Sequence, residues 1–182
     1  MHKKLLKYII IAISSILIYF LFTNTFIFPC KIEGMSMFPT LAPDEIKLSN
    51  RWKVITDYKL NRGDIIIFNE PSVLYVSKEE FDANNVLAKY NNYFSINPFK
   101  NKFIKRIVGI PGDHIQITEK NELYLNEEKI GYANRSGYEE YMYVDLIIPE
   151  DSVYVMGDNR GESIDSRSFG CIPNNQIYSV LF

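Results

Sequence analysis

The sequence predicts a mostly β fold: an antiparallel β-sheet or barrel-like catalytic domain behind one N-terminal transmembrane helix. Three observations carry that reading. Short apolar runs recur at close spacing, each broken by Gly, Pro, Asn or Asp, which is the punctuation of hairpins rather than of βαβ units. One of them, His114-Ile115-Gln116-Ile117-Thr118, alternates strictly, as a strand with one buried face does. Tyr8 to Phe28 is a stretch of 21 residues without a charge, enough to cross roughly 30 Å of hydrocarbon as a helix.

The N-terminal stretch comes first in the chain. In lipid a helix satisfies its backbone polar groups internally. Lys3, Lys4 and Lys7 precede it, and the positive-inside rule keeps such an end cytoplasmic. The expected organisation is a cytoplasmic tail at 1–7, an anchor at 8–28 and an extracytoplasmic domain at 30–182, in the cell membrane with a single pass. Tyr19, Phe20, Phe22, Phe26 and Phe28 crowd the outer half as an interfacial belt. A cleavable leader has a shorter apolar core and a small-residue cleavage site, and neither is present.

Beyond the anchor, Ile65 to Phe68 follows the turn Arg62-Gly63-Asp64, and Ile104 to Ile110 ends at Pro111-Gly112-Asp113. Leu123-Tyr124-Leu125 and Val153 to Met156 are further strand candidates. Residues 69–102, rich in Asn and aromatics, are expected to leave the sheet as a long excursion, with Ser77 to Tyr90 as its one candidate helix. Its aromatics, Tyr75, Phe81, Tyr90, Tyr93, Phe94 and Phe99, suit either a membrane-contacting flap or a self-packed loop.

Of 20 Lys and Arg, three precede the apolar stretch, so the outward part holds 17 against 22 acidic residues. No basic stripe of the kind nucleic acid requires is present. Two cysteines, Cys30 and Cys171, do not make a disulfide framework, and their spacing leaves open whether they pair. The pattern asks for no metal and no cofactor.

Chemistry concentrates in three segments. Gly34-Met35-Ser36-Met37-Phe38-Pro39-Thr40-Leu41 presents Ser36 in a constrained turn. Read alone, Ser36 is an ordinary turn serine bonding its own backbone. A hydroxyl becomes a nucleophile only beside a base. Of the two histidines, His2 lies on the cytoplasmic side and His114 opens an alternating strand, so a Ser-His-Asp triad is poorly supplied. A desolvated lysine is the alternative, because burial disfavours the ammonium. Lys105 sits in the strand-like run Phe103 to Ile110, where alternation puts Lys105, Ile107 and Gly109 on one face and Arg106 on the other. Read alone, Lys105 is a strand-edge lysine in water. The third segment, Gly157 to Gly170, is dense in groups able to satisfy one another: Asp165 can pair with Arg167, and Ser163 can orient an amine.

Together these segments resemble the bacterial type I signal peptidases in their one-anchor Gram-positive form. Ser36 to Leu41 matches the family's serine box and Lys105 to Asp113 its lysine box. Gly157-Asp158-Asn159-Arg160, Ser163, Asp165-Ser166-Arg167 and Gly170 match its C-terminal box, and Arg62 to Phe68 a lesser one. The likeness runs in order from the anchor to about Pro173, apart from the excursion. It implies a membrane-bound serine endopeptidase that removes signal peptides from secretory preproteins with small residues at the −1 and −3 positions. Ser36 would be the nucleophile, Lys105 the general base and Ser163 the group orienting the Lys105 amine. Asp165 and Arg167 would be structural supports, and Met37, Leu41 and Ile104 would line the substrate pocket. Gly34 stands where some members carry a second oxyanion-donating serine, leaving the Ser36 backbone N–H in that role. The competing expectation is a specialised or inactive homologue acting in surface-protein assembly, and the presence of both Ser36 and Lys105 speaks against it.

Overall fold

The computed structural model describes residues 2–55, 59–69, 102–134 and 143–182. The excursion expected at 69–102, with its candidate helix and aromatic flap, lies outside the described residues between Asn69 and Lys102.

A helix, α1 (His2–Phe26), opens the chain. It gives way directly to β1 (Ile27–Lys31), so the last two residues of the uncharged stretch are strand. Its described apolar side chains, Leu5 to Tyr19, stand exposed. Among the described residues no helix is long and apolar enough to cross a membrane; of α1 the described side chains are those of residues 4–19 and 26.

Among the described residues, all else regular is antiparallel strand with short helical turns. After β1 come β2 (Ile46–Asn50), α2 (Trp52–Ile55), β3 (Ile65–Asn69), β4 (Lys102–Gly109), β5 (His114–Ile117), β6 (Glu122–Leu125), β7 (Glu128–Tyr132), β8 (Val144–Ile147) and β9 (Ser152–Met156). A short α3 (Ser166–Phe169), β10 (Ile172–Pro173) and β11 (Ile177–Leu181) complete the chain. Among the described residues two sheets result: seven strands in the order β1-β2-β11-β3-β4-β9-β10, and four in the order β7-β6-β5-β8. Every pairing is antiparallel.

The alternation in the sequence maps onto the packing. In β5, Ile115 and Ile117 are fully buried while His114 and Gln116 face outward. Strand β9 lacks alternation because both its faces are covered. Val153 and Val155 join the core of Ile66, Phe68, Ile107 and Val180, while Tyr154 and Met156 join that of Ile115, Ile117 and Leu123. β4 departs from simple alternation at Gly109: a bulge between Ile107 and Gly109 shifts the register against β9, so Gly109 pairs with Tyr154 and faces the second core with Val108, not the face of Lys105 and Ile107 where strict alternation put it. At the end of β4 a Cβ on Gly109 would collide with the Ile148 side chain, so only glycine lets the two sheets approach there. Four of the seven strands of the large sheet, β1, β2, β10 and β11, were not anticipated from the sequence. In β1 and β2 the exposed faces carry Ile27, Ile46 and Leu48, which blurs any period-2 signal.

Candidate active site

Two elements bring Ser36 and Lys105 together. Ser36 rides in the connection between β1 and β2, a series of turns closed by Phe38 N–H to Met35 O (3.1 Å) and Leu41 N–H to Met37 O (3.0 Å). Gly34 enters those turns with φ +78°, a conformation that disfavours any side chain. Lys105 is central in β4, paired with Ile66 of β3. The Lys105 Nζ donates to Ser36 Oγ at 2.7 Å and to its neighbour's carbonyl, Ile104 O, at 3.1 Å, and lies 5.3 Å from the centre of the Phe103 ring.

Lys105 is only 5% exposed. Burial pushes its pKa down to about 8, while the nearby Asp165 carboxylate pulls it up and the Arg167 guanidinium pushes it further down. An ordinary lysine is neutral in about one molecule in two thousand at pH 7; with a pKa near 8 it is neutral in roughly one in ten. A partly neutral amine against a half-buried hydroxyl is the geometry a serine nucleophile needs. His114, the other candidate base, instead has Nε2 against Asp145 Oδ1 (2.6 Å) on the outer face of the four-stranded sheet.

The segment after β9 builds the rest. The Arg167 guanidinium is wholly buried and donates twice to Asp165, Nε to Oδ1 and Nη2 to Oδ2, both at 2.8 Å. It also donates to the carbonyls of Ala133 and Arg160 (2.8 Å each) and of Asn134 and Ser163 (3.3 Å each). Burial raises the Asp165 pKa, but the bonds and charge of Arg167 and the Gly157 N–H (2.9 Å) more than offset it, and the carboxyl stays below the usual carboxylate range. Ser163 is 2% exposed, beside Asp165, and among the described residues its hydroxyl makes no hydrogen bond of standard geometry.

Four connections carried no role in the sequence reading. Asn159 N–H donates to Ser36 O (3.0 Å), tying the serine turn to the C-terminal segment. A Cβ on Gly157 would collide with both Ser36 O and Ser163, so this glycine is a close-approach position between the two. Arg106, on the face opposite Lys105, donates twice to Asp158 (2.8 and 2.7 Å) and once to Gly63 O (2.7 Å). Arg62 pairs with Asp113, joining the ends of two boxes. Gly157, Asn159 and Arg106 all stood in segments the sequence singled out, but the pairings between segments are tertiary.

Met37 and Leu41 are nearly fully buried and share a cluster with Cys30, Ile32, Ile67 and Leu181, against which Ile104 packs. Both cysteines are free thiols, Cys30 in this cluster and Cys171 against the other side of the core.

A hydroxyl held to a buried amine, braced by a buried carboxylate–guanidinium pair, defines a hydrolytic class of site. The chain belongs to the family described as signal peptidase, peptidase S26, which matches residues 4–181, and so to the peptide-bond hydrolases. The match therefore runs through the C-terminal tail, where the sequence reading found only a loose likeness. Signal peptidase I from Bacillus amyloliquefaciens is 31% identical over 91% of this chain and 79% of its own length. Signal peptidase I S from Bacillus subtilis is 27% identical over 96% and 85%. The chain spans 59% of the length of the probable signal peptidase I-2 of Synechocystis, at 29% identity over 83% of this chain. A solved signal peptidase I from Enterococcus faecalis aligns with 68% of this chain and 97% of its own, at 24% identity and a TM-score of 0.41.

Proposed function

We propose that this protein is a membrane-bound serine endopeptidase that removes N-terminal signal peptides from exported preproteins, with Ser36 as nucleophile and Lys105 as general base. The observation that carries the reading is the 2.7 Å contact between Ser36 Oγ and the Nζ of a lysine whose pKa burial lowers to about 8.

In this mechanism the neutral Lys105 amine accepts the Ser36 proton as Oγ attacks the scissile carbonyl carbon. The tetrahedral oxyanion takes a hydrogen bond from the Ser36 N–H, which none of the described backbone bonds occupies. The resulting Lys105 ammonium returns its proton to the leaving amine, leaving an acyl ester on Ser36 and releasing one peptide. Water, deprotonated by the same amine, then hydrolyses the ester and restores the hydroxyl. Ser163, whose buried hydroxyl has no hydrogen bond of standard geometry to Lys105 or to any other described residue, is the group that would turn to orient the amine during the reaction; Asp165 and Arg167 hold the segment that carries it, and Met37, Leu41 and Ile104 form the floor of the substrate pocket. Residues 8–28 anchor the domain, with 1–7 cytoplasmic and 30–182 outside. The exposed apolar surface of α1 and the lysines before it support that topology.

The test is cleavage of a preprotein by the detergent-solubilised full chain, with the product sequenced from its new N-terminus. A single cut after a small residue, absent in Ser36→Ala, is the expected result. No cut, or an equal cut by Ser36→Ala, would refute the assignment.

A further inference from the structure

Where α1 ends, the fold gathers an aromatic cluster. Phe26, its last residue, meets Trp52 edge-on at 5.0 Å between ring centres, and Phe28 lies 6.1 Å from Tyr178. The Arg51 N–H donates to Phe26 O (2.8 Å), fixing this cluster at the helix end. Two cations stand against the same ring: the Arg51 guanidinium and the Lys102 ammonium are each 4.7 Å from the Tyr178 centre. The remaining contact of the Lys102 ammonium is with the uncharged Asn69 Oδ1 (3.0 Å), and among the described residues neither cation has a carboxylate partner. Partial burial and the charge of Arg51 lower the Lys102 pKa, so the two cations are left in mutual repulsion that an anion would relieve.

We propose that Arg51 and Lys102 bind the phosphate of an anionic phospholipid headgroup in the outer leaflet. The inference rests on the reading of α1 as the membrane anchor, which sets its outer end, and hence Trp52, Phe28 and Tyr178, at the headgroup level. Aromatic rings and basic side chains in that layer place their apolar parts toward the chains and their charge among the phosphates. Each basic residue near an anionic lipid surface is worth roughly a fivefold change in partition. Since the domain as a whole is acidic, any preference for anionic lipid has to be local to this site. Its role would be to hold the domain at a set height and tilt over the bilayer.

Trp52 is the single tryptophan of the chain and lies beside Arg51, so its fluorescence reports on the site. The full chain is reconstituted in phosphatidylcholine bilayers containing phosphatidylglycerol, with bromine on the acyl chains of one lipid or the other. Brominated phosphatidylglycerol is expected to quench Trp52 at least about twofold more than brominated phosphatidylcholine at equal mole fraction. Arg51→Gln with Lys102→Gln is expected to equalise the two while peptide cleavage in detergent is retained. Equal quenching in the unaltered chain would overturn the headgroup site and leave the anchor standing; no quenching by either lipid would overturn both. Loss of the preference on adding millimolar inorganic phosphate would assign the site to free phosphate instead and overturn the lipid assignment.

Discussion

At the scale of single residues, the proposed mechanism depends on moving one proton off Lys105. With Ser36 and Lys105 acting as the proposed unit, Ser36→Ala and Lys105→Ala should each abolish cleavage, and the double substitution should add almost nothing. Lys105→Arg should be equally inactive, since a guanidinium does not release its proton at working pH. Initial rates on a signal-peptide substrate from pH 5 to 10 should rise through about 8, the folded pKa of Lys105, because the active form is the deprotonated one. A rise that vanished with His114→Gln would point to a histidine base instead. The same group links pH to stability. In the unfolded chain it titrates near 10.5, in the folded chain near 8. Below pH 8 both states carry the charge, and the fold bears the full burial penalty of about 3 kcal/mol. Between 8 and 10.5 the unfolded state binds more protons, so stability rises with pH and the penalty is gone above that window. Lys105→Met should therefore raise Tm at pH 7 and show little gain at pH 10 or above, measured by thermal unfolding.

At the scale of elements, the segment from β9 to α3 is the brace of the site. Arg167 joins it to the Ala133–Asn134 strand exit, and Arg167→Met would leave the Asp165 carboxylate buried with no cation. The expected loss is about 3–5 kcal/mol in a denaturant titration. Arg167→Lys should recover only part of it, because one ammonium replaces a fork that reaches five acceptor groups. Gly157→Ala acts differently. The added methyl pushes against Ser36 O and the Ser163 side chain, so the serine turn must shift against β4. A drop in kcat of tenfold or more with KM little changed is the expected outcome, since a misplacement of about 1 Å at the reacting groups costs on the order of 10²-fold. Unaltered kcat would mean that the turn absorbs the methyl without moving the hydroxyl.

At the scale of the whole molecule, the sheet order makes the C-terminus part of the site. Among the described residues, the hairpin β1–β2, which carries Ser36 between its strands, joins the large sheet through strand pairing with β11, by the pairs Val180↔Asn50 and Leu181↔Ser49. On its other edge β11 pairs with β3, the neighbour of the strand bearing Lys105. β11 therefore links the hairpin that carries Ser36 to the neighbour of the strand that carries Lys105. Ending the chain at residue 176 should abolish activity and cooperative unfolding together. Leu181→Ala, which leaves the strand pairing and removes only packing against Met37 and Leu41, should cost about 2–4 kcal/mol and retain activity below its lowered Tm.

The primary sequence was enough to mark the chemistry-bearing residues and the strands with a clear period. Strict alternation located β5, turn punctuation bounded β3, β4 and β9, and the same-face rule placed Lys105 and Ile107 together and away from Arg106. These are local properties, written in spacing of two and in Gly, Pro and Asn positions. Long-range pairing is not local. That β11 lies between β2 and β3, that Arg106 reaches Asp158, and that Asn159 holds Ser36 all depend on which strands become neighbours across more than fifty residues. The base's pKa belongs to the same class: a lysine in a sequence carries its ordinary value, and only the closed core around Lys105 removes the water that sustains its charge.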